Sequence, residues 1–200
     1  MDILNFKVVP LGQTVLRYEV PFDVFTAINH IYETKYPTLP PANKQLVGKI
    51  EKEHSLFFGG QDSDKMKQHN LLPANVLQWF EKMFKHYLKW NRVKEYELHL
   101  NSIWVNQMFE HEYNPVHVHQ GSLFTGLSSV MILKLPESFG VEYSSHDIPQ
   151  NGRLQILGSA SGQFANIDYQ PELGERDFFV FPYDMRHTVY PFNGPGMRRS

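Results

Sequence analysis

FFVFPYDMRHTVYPF, residues 178–192, decides how the C-terminal half of this chain is read. Phe178, Phe179, Val180 and Phe181 form a short apolar run of strand-forming residues, and Pro182 turns the chain. His187 then heads a second alternating run through Thr188, Val189 and Tyr190. Two strands and a proline turn, with a histidine at the second strand's head, describe a β scaffold that carries a polar side chain on its rim.

The same texture extends back to Val93. Residues 96–107, 116–119, 127–135, 154–157, 177–181 and 188–192 read as short strands, separated by turn-rich stretches such as PESFG, IPQNGR and QPELGER. Strands at this spacing predict an antiparallel barrel or jelly roll.

The first half is different. Residues 3–9 and 15–20 read as two short strands around PLGQ. Pro21 and Asp23 then open a helix whose apolar positions are Val24, Phe25, Ile28, Ile31 and Tyr32, and which Pro37 and Pro40 end. A short helix is expected over 45–54, and a mobile polar loop over 59–70, GGQDSDKMKQHN. Pro73 begins the clearest helix, with Val76, Leu77, Phe80, Met83, Phe84, Tyr87 and Leu88 on one stripe for packing on the core. No stretch reads as a linker. The expected class is therefore α+β, mainly β: one domain over 1–200, with helical support and short strands in 1–95 and the β core in 96–200.

Composition narrows the chemistry. The 200 residues include no cysteine, which removes disulfides, thiolate metal sites, iron–sulfur clusters and cysteine nucleophiles. A protein-bound metal would have to use His, Asp or Glu. Nineteen basic residues against twenty-one acidic ones give no bulk pull toward nucleic acid or membrane, and neither is expected as a partner. The amino terminus lacks a cationic start followed by an apolar run, so a soluble, cytoplasmic protein is expected.

NPVHVHQGSLFTG, residues 114–126, places His117 and His119 one residue apart. On a strand, alternate residues share a face, so the two imidazoles would point the same way, as a metal ion requires. Alone, such a pair is more at home on a surface or in hydrogen bonds than on a metal. A third histidine, His187, and a late arginine, Arg198, followed by Arg199, turn the pair into a constellation. The other histidines, at 30, 54, 69, 86, 99, 111 and 146, lack ligand spacing.

With these residues in place, the sequence resembles the Fe(II)- and 2-oxoglutarate-dependent oxygenases of the double-stranded β-helix fold, in particular a small phage and cyanophage branch. The resemblance runs from Trp104 in SIWVNQMFEHEYNPVHVHQG, through LSSVMILKLPE, to DFFVFPYDMRHTVYPF and Arg198. It implies a jelly-roll core and host-cytoplasmic location if phage-encoded. It also implies Fe(II) held by His117, His119 and His187, 2-oxoglutarate held through its distal carboxylate by Arg198, and hydroxylation of a substrate, or demethylation by way of it.

Asn106 would hydrogen-bond the cosubstrate or the substrate, while Trp104 is read as core. The substrate itself, a small molecule or a peptide or protein, is not legible. In the wider superfamily the second ligand is a carboxylate, and His119 stands in its place. Glu110, Glu112 and Asp184 are the nearby carboxylates, all ranked below His119 as ligands, with Glu112 a candidate to orient a ligating imidazole.

Three neutral imidazoles would leave the full dipositive charge on the iron, so oxygen activation would be tuned differently from a two-histidine, one-carboxylate site. SLFT, residues 122–125, reads as a short insertion at the mouth of the site. Arg198 lies close to Ser200, and Arg199 could replace it only in a register shifted by one. Two competing readings share the scaffold. One is a cupin-like dioxygenase or isomerase without 2-oxoglutarate, although residues 120–126 lack the glutamate such a motif carries. The other is a non-catalytic jelly-roll binding module.

Overall fold

A computed structural model describes residues 12–42, 47–60, 66–119, 125–142, 149–159 and 162–200. It is mainly β, with two long helices. In chain order the elements are β1 (Leu16–Glu19), α1 (Phe22–Lys35), β2 (Lys52–Phe58), β3 (His69–Asn70), α2 (Ala74–Trp90), β4 (Ser102–Met108) and β5 (Asn114–His117). They continue with β6 (Leu127–Met131), β7 (Leu154–Leu157), β8 (Asp168–Tyr169), β9 (Asp177–Pro182), β10 (Arg186–Val189) and β11 (Arg198–Arg199). These strands make three antiparallel sheets, ordered β1-β9-β6, β5-β10-β7-β8 and β11-β4-β2-β3.

The apolar strand β9 is covered on both faces, which explains its unbroken run. Phe178 and Val180 point into a cluster with the helices, whereas Phe179 and Phe181 point into a second cluster with Met108, Ile132, Leu154 and Ile156. All four are fully buried, and each such side chain stabilises the fold by about 1.5–3 kcal/mol relative to exposure. Helix α2 presents Val76, Phe80, Phe84 and Tyr87 to that layer, and the rings of Phe80 and Phe84 lie 5.5 and 6.3 Å from Phe178. Helix α1 starts after Pro21, carries Asp23 in its first turn and buries Val24, Ile28 and Tyr32. No described helix is long and apolar enough to cross a membrane.

One expected element is replaced. Of the short helix expected over 45–54, residues 45 and 46 lie outside the described residues, 47–51 form no helix, and 52–54 open β2, which pairs with β4 from Lys52↔Gln107 to Phe58↔Ser102 with an irregularity between Ser55 and Phe57. Local helix signals there are overridden by pairing to a strand some fifty residues away, as β propensity commonly is. The N-terminal half is therefore built into the sheets: β1 pairs with β9, and β2 with β4. Within the loop expected over 59–70, His69 and Asn70 form β3, paired to β2 through Phe57↔Asn70 and Phe58↔His69. The strand expected over 3–9, residues 61–65 of that loop, most of the SLFT stretch and His146 lie outside the described residues.

The chain end is anchored rather than solvated. Arg198 pairs with Met108 and Arg199 with Gln107, and both side chains are buried. Because strand neighbours face opposite ways, Arg199 points toward α1. There it donates from Nε and Nη2 to Gln107 Oε1 (3.2 and 3.0 Å) and from Nη1 to Asn29 Oδ1 (3.0 Å) and Glu33 Oε1 (2.9 Å). Its guanidinium also sits 4.7 Å from the Tyr32 ring centre. Replacing Arg199 by alanine should cost about 3 kcal/mol, since it leaves the buried Gln107 Oε1 without its donors, breaks the bonds to Asn29 and Glu33 and empties a buried position. Urea unfolding of the cofactor-free protein, read as a lower midpoint at unchanged slope, checks this.

Candidate metal centre

His117 ends β5 and stands directly opposite His187 of β10. His119 lies two residues beyond the end of that strand, held by its backbone N–H donating to Tyr183 O at 3.0 Å. The turn after β9 thus fixes the second histidine of the pair. The three side chains converge: one ring nitrogen from each lies within 4.8 Å of the others. Ring centres are 4.2 Å apart for His117 and His187, 5.1 Å for His117 and His119, and 4.9 Å for His119 and His187.

Hydrogen bonds set the protons. His117 Nδ1 lies 2.7 Å from Pro115 O, and His187 Nδ1 lies 3.0 Å from Met185 O. A carbonyl only accepts, so both Nδ1 atoms carry hydrogen and both Nε2 atoms present a lone pair. His119 Nε2 lies 3.1 Å from His187 Nε2, so His119 donates there and must move that proton to Nδ1 before Nε2 can ligate. Burial lowers all three basicities, to about 3 for His119 and about 4 for His187; neighbouring imidazoles add to the shift at His119 and His187, while the carbonyls of Pro115 and Met185 oppose it at His117 and His187. The cluster is therefore neutral at physiological pH, the state a metal ion needs. Trp104 packs on His119 at 5.4 Å, and the edge of Phe181 meets His187 at 5.0 Å.

The face of β4 that carries Trp104 continues through Asn106 to Met108. Arg198 lies beside Met108 and is wholly buried. Its Nη1 donates to Ser200 Oγ at 2.9 Å and touches Met108 Sδ at 3.9 Å, whereas Nε and Nη2 have no partner. Burial alone lowers its basicity, to about 10. On the other side of β4, Glu53 stands opposite Asn106, and Glu53 Oε1 and Asn106 Oδ1 are also buried without partners.

Glu112 orients no imidazole. Its carboxylate accepts from the backbone N–H groups of Phe109 (2.7 Å) and Glu51 (3.0 Å), so carbonyls of Pro115 and Met185 orient the rings instead. Glu110 and Asp184 are not in the cluster, which among the described residues contains histidines alone. Trp104, expected in the core, is half-buried against His119. Glu53 carries no sequence signal as a site residue, because its segment reads locally as a helix and its burial comes from the pairing of β2 with β4.

A partly buried three-nitrogen mount, and a buried, under-bonded arginine further along the strand that carries Trp104, narrow the candidates. Residues 102–200 match the family described as "Putative 2OG-Fe(II) oxygenase". The cofactors of a 2OG-Fe(II) oxygenase are Fe(II) and 2-oxoglutarate, and the His117, His119 and His187 cluster fits the iron. Solved oxygenases share the overall fold. A Pseudomonas putida prolyl-4-hydroxylase superposes with a TM-score of 0.57 at 14% identity, covering 94% of this chain and 88% of that one.

A Trichoplax adhaerens prolyl hydroxylase, in complex with a hypoxia inducible factor oxygen degradation domain peptide fragment, gives 0.54 at 12% identity, covering 94% and 80%. A Burkholderia pseudomallei oxidoreductase of the 2OG-Fe(II) oxygenase family gives 0.52 at 11%, covering 94% and 81%. The curated proteins contain no match to the chain. The structural likeness to these oxygenases spans both halves of the chain, including the N-terminal half where the sequence resemblance is loose.

Proposed function

We propose that this protein is an Fe(II)- and 2-oxoglutarate-dependent oxygenase that hydroxylates a C–H bond of a second substrate, on a double-stranded β-helix formed by the curled sheets. The observation that carries the reading is the orphaned guanidinium of Arg198. A buried donor without a partner costs about 1–3 kcal/mol, more when charged, so it is kept where a ligand completes it. The missing partner must be an acceptor, and the planar fork suits a carboxylate. A cupin-type site without 2-oxoglutarate has no use for such a group.

In this reading His117 and His187 present their Nε2 lone pairs to the iron, each held in its tautomer by the carbonyl behind it. His119 would supply the third nitrogen once its proton has moved to Nδ1, and a metal held by only three protein ligands would have room for a chelating 2-oxo acid and for dioxygen. Arg198 receives the distal carboxylate, and Asn106, between Arg198 and the Trp104 that packs on His119, lines the path between them. When bound, the iron and cosubstrate supply the oxidation: one oxygen atom of dioxygen enters succinate as carbon dioxide leaves, and the other enters the substrate C–H bond. Phe181, Met108 and Trp104 keep the surroundings apolar, which strengthens each polar contact inside.

Calorimetric titration of 2-oxoglutarate into Mn(II)-loaded protein tests this directly. One equivalent should bind, and binding should vanish without metal. Metal-independent binding, or none to a metal-loaded protein, contradicts the assignment.

A further inference from the structure

The face of β4 that leads away from the histidines is flanked by polar groups of two opposite kinds. On the β11 side, Arg198 offers unpaired donors. On the β2 side, Glu53 and Asn106 stand in direct register, and each buries an oxygen that has no donor. Glu53 is only 4% exposed. 2-Oxoglutarate, a dicarboxylate with a ketone, can satisfy Arg198 but has no proton to give Glu53 or Asn106. A carboxylate ligand brought next to Glu53 would add like charge. The two orphaned acceptors therefore call for a different molecule, one that donates.

The surroundings of Glu53 favour a donor that is also positively charged. Among the described residues no cation is bonded to Glu53, and the neighbouring acid, Glu112, is itself tied to two backbone N–H groups. Burial, and secondarily the charge of Glu112, push the Glu53 carboxyl up to about 7, a cost that an incoming cation would reverse. The position also fits a reacting substrate. Asn106 lies two residues along β4 from Trp104, roughly 7 Å of strand, and the Trp104 ring rests on His119.

Resting on the oxygenase reading above, we propose that Glu53 determines substrate specificity by accepting hydrogen bonds from a cationic nitrogen, ammonium or guanidinium, of the molecule to be oxidised. Asn106 Oδ1 is the second acceptor for the same group. Strand β4 then separates two recognition elements, with Arg198 for the anionic cosubstrate on one side and Glu53 for the cationic substrate on the other.

The test uses the full chain loaded anaerobically with Fe(II) and 2-oxoglutarate, so that no turnover occurs and binding is read from perturbation of the metal-to-ligand charge-transfer band. The probes are the amides of N-acetyl-L-arginine and N-acetyl-L-lysine, with those of N-acetyl-L-citrulline and N-acetyl-L-norleucine as neutral counterparts. At least one cationic amide should bind wild type about tenfold or more tighter than its neutral counterpart, as a charge-assisted bond to a buried carboxylate requires. Glu53→Gln should lose that preference while forming the band at the wild-type 2-oxoglutarate concentration.

Equal affinities in wild type, including no binding by any amide, overturn the inference, as does a preference that survives in Glu53→Gln; Glu53 and Asn106 would then be a structural pair. Since wild type alone shows the preference, a poorly folded variant does not shield the idea. A wild-type protein that forms no band overturns the oxygenase reading and this inference with it, whereas a band without cation preference overturns this inference alone.

Discussion

Arg198→Met is expected to weaken 2-oxoglutarate binding by about 30-fold or more while leaving the cofactor-free protein as stable as wild type, or more so. The two halves of that result have separate causes. Truncating one partner of a buried, charge-assisted contact costs about 2–5 kcal/mol, which raises the dissociation constant by roughly 30-fold to several thousand-fold. In the cofactor-free protein the same guanidinium has two unpartnered nitrogens in a wholly buried position, so it is a burden to the fold.

Exchanging a buried charge for an apolar side chain of similar length is neutral or stabilising by about 1–4 kcal/mol, against which the lost bond to Ser200 weighs about 1 kcal/mol. The contrast with Arg199 is the control. It is adjacent in sequence and equally buried, yet satisfied on every side, and its loss should destabilise. Thermal melting of the two variants without cofactor, with calorimetry for 2-oxoglutarate, separates the roles. A drop in Arg198→Met stability comparable to that of Arg199→Ala would make Arg198 a structural residue.

His187→Ala is expected to lower Fe(II) affinity by more than about 100-fold, beyond the 10–100-fold typical of losing a group that merely supports a ligand. His187 is the most buried of the three histidines and contacts both others, so its removal leaves two nitrogens at the half-buried edge of the site. His119→Asp, by contrast, rebuilds a two-histidine, one-carboxylate set and should keep iron binding, because a carboxylate is a competent third ligand for Fe(II). Anaerobic equilibrium dialysis measures both. Tight iron binding by His187→Ala would move the metal elsewhere, and failure of His119→Asp to bind iron would mean that position 119 is not a ligand position.

Much of the scaffold was legible because its signals were local. The apolar run at 178–181 and the stripe through Val76, Phe80 and Phe84 each state their burial in their own periodicity, and both elements form as expected. The three histidines come together from positions 117, 119 and 187, though not quite as the alternation argument had it. His119 lies beyond the strand and is positioned by a backbone bond to Tyr183 instead of by pleating.

What was not legible depended on contacts distant in sequence. Lys52 to Phe58 is a strand only because β4 pairs with it, so Glu53 could not be placed beside Asn106 before the sheet was known. The burial of Arg198 is likewise invisible locally, since residues near a chain end are usually solvated, and this one is held by its ladder to Met108. The orienting partners of the histidines are main-chain carbonyls, which carry no side-chain signature at all.

The central claim is that the histidine cluster and Arg198 together hold iron and 2-oxoglutarate. Its most direct test is anaerobic addition of Fe(II) and then 2-oxoglutarate to wild type, His187→Ala and Arg198→Met, followed by visible absorption. The account predicts a metal-to-ligand charge-transfer band in wild type, none in His187→Ala, and none in Arg198→Met at 2-oxoglutarate concentrations that saturate wild type. A folded, iron-loaded wild-type protein that shows no such band would contradict it.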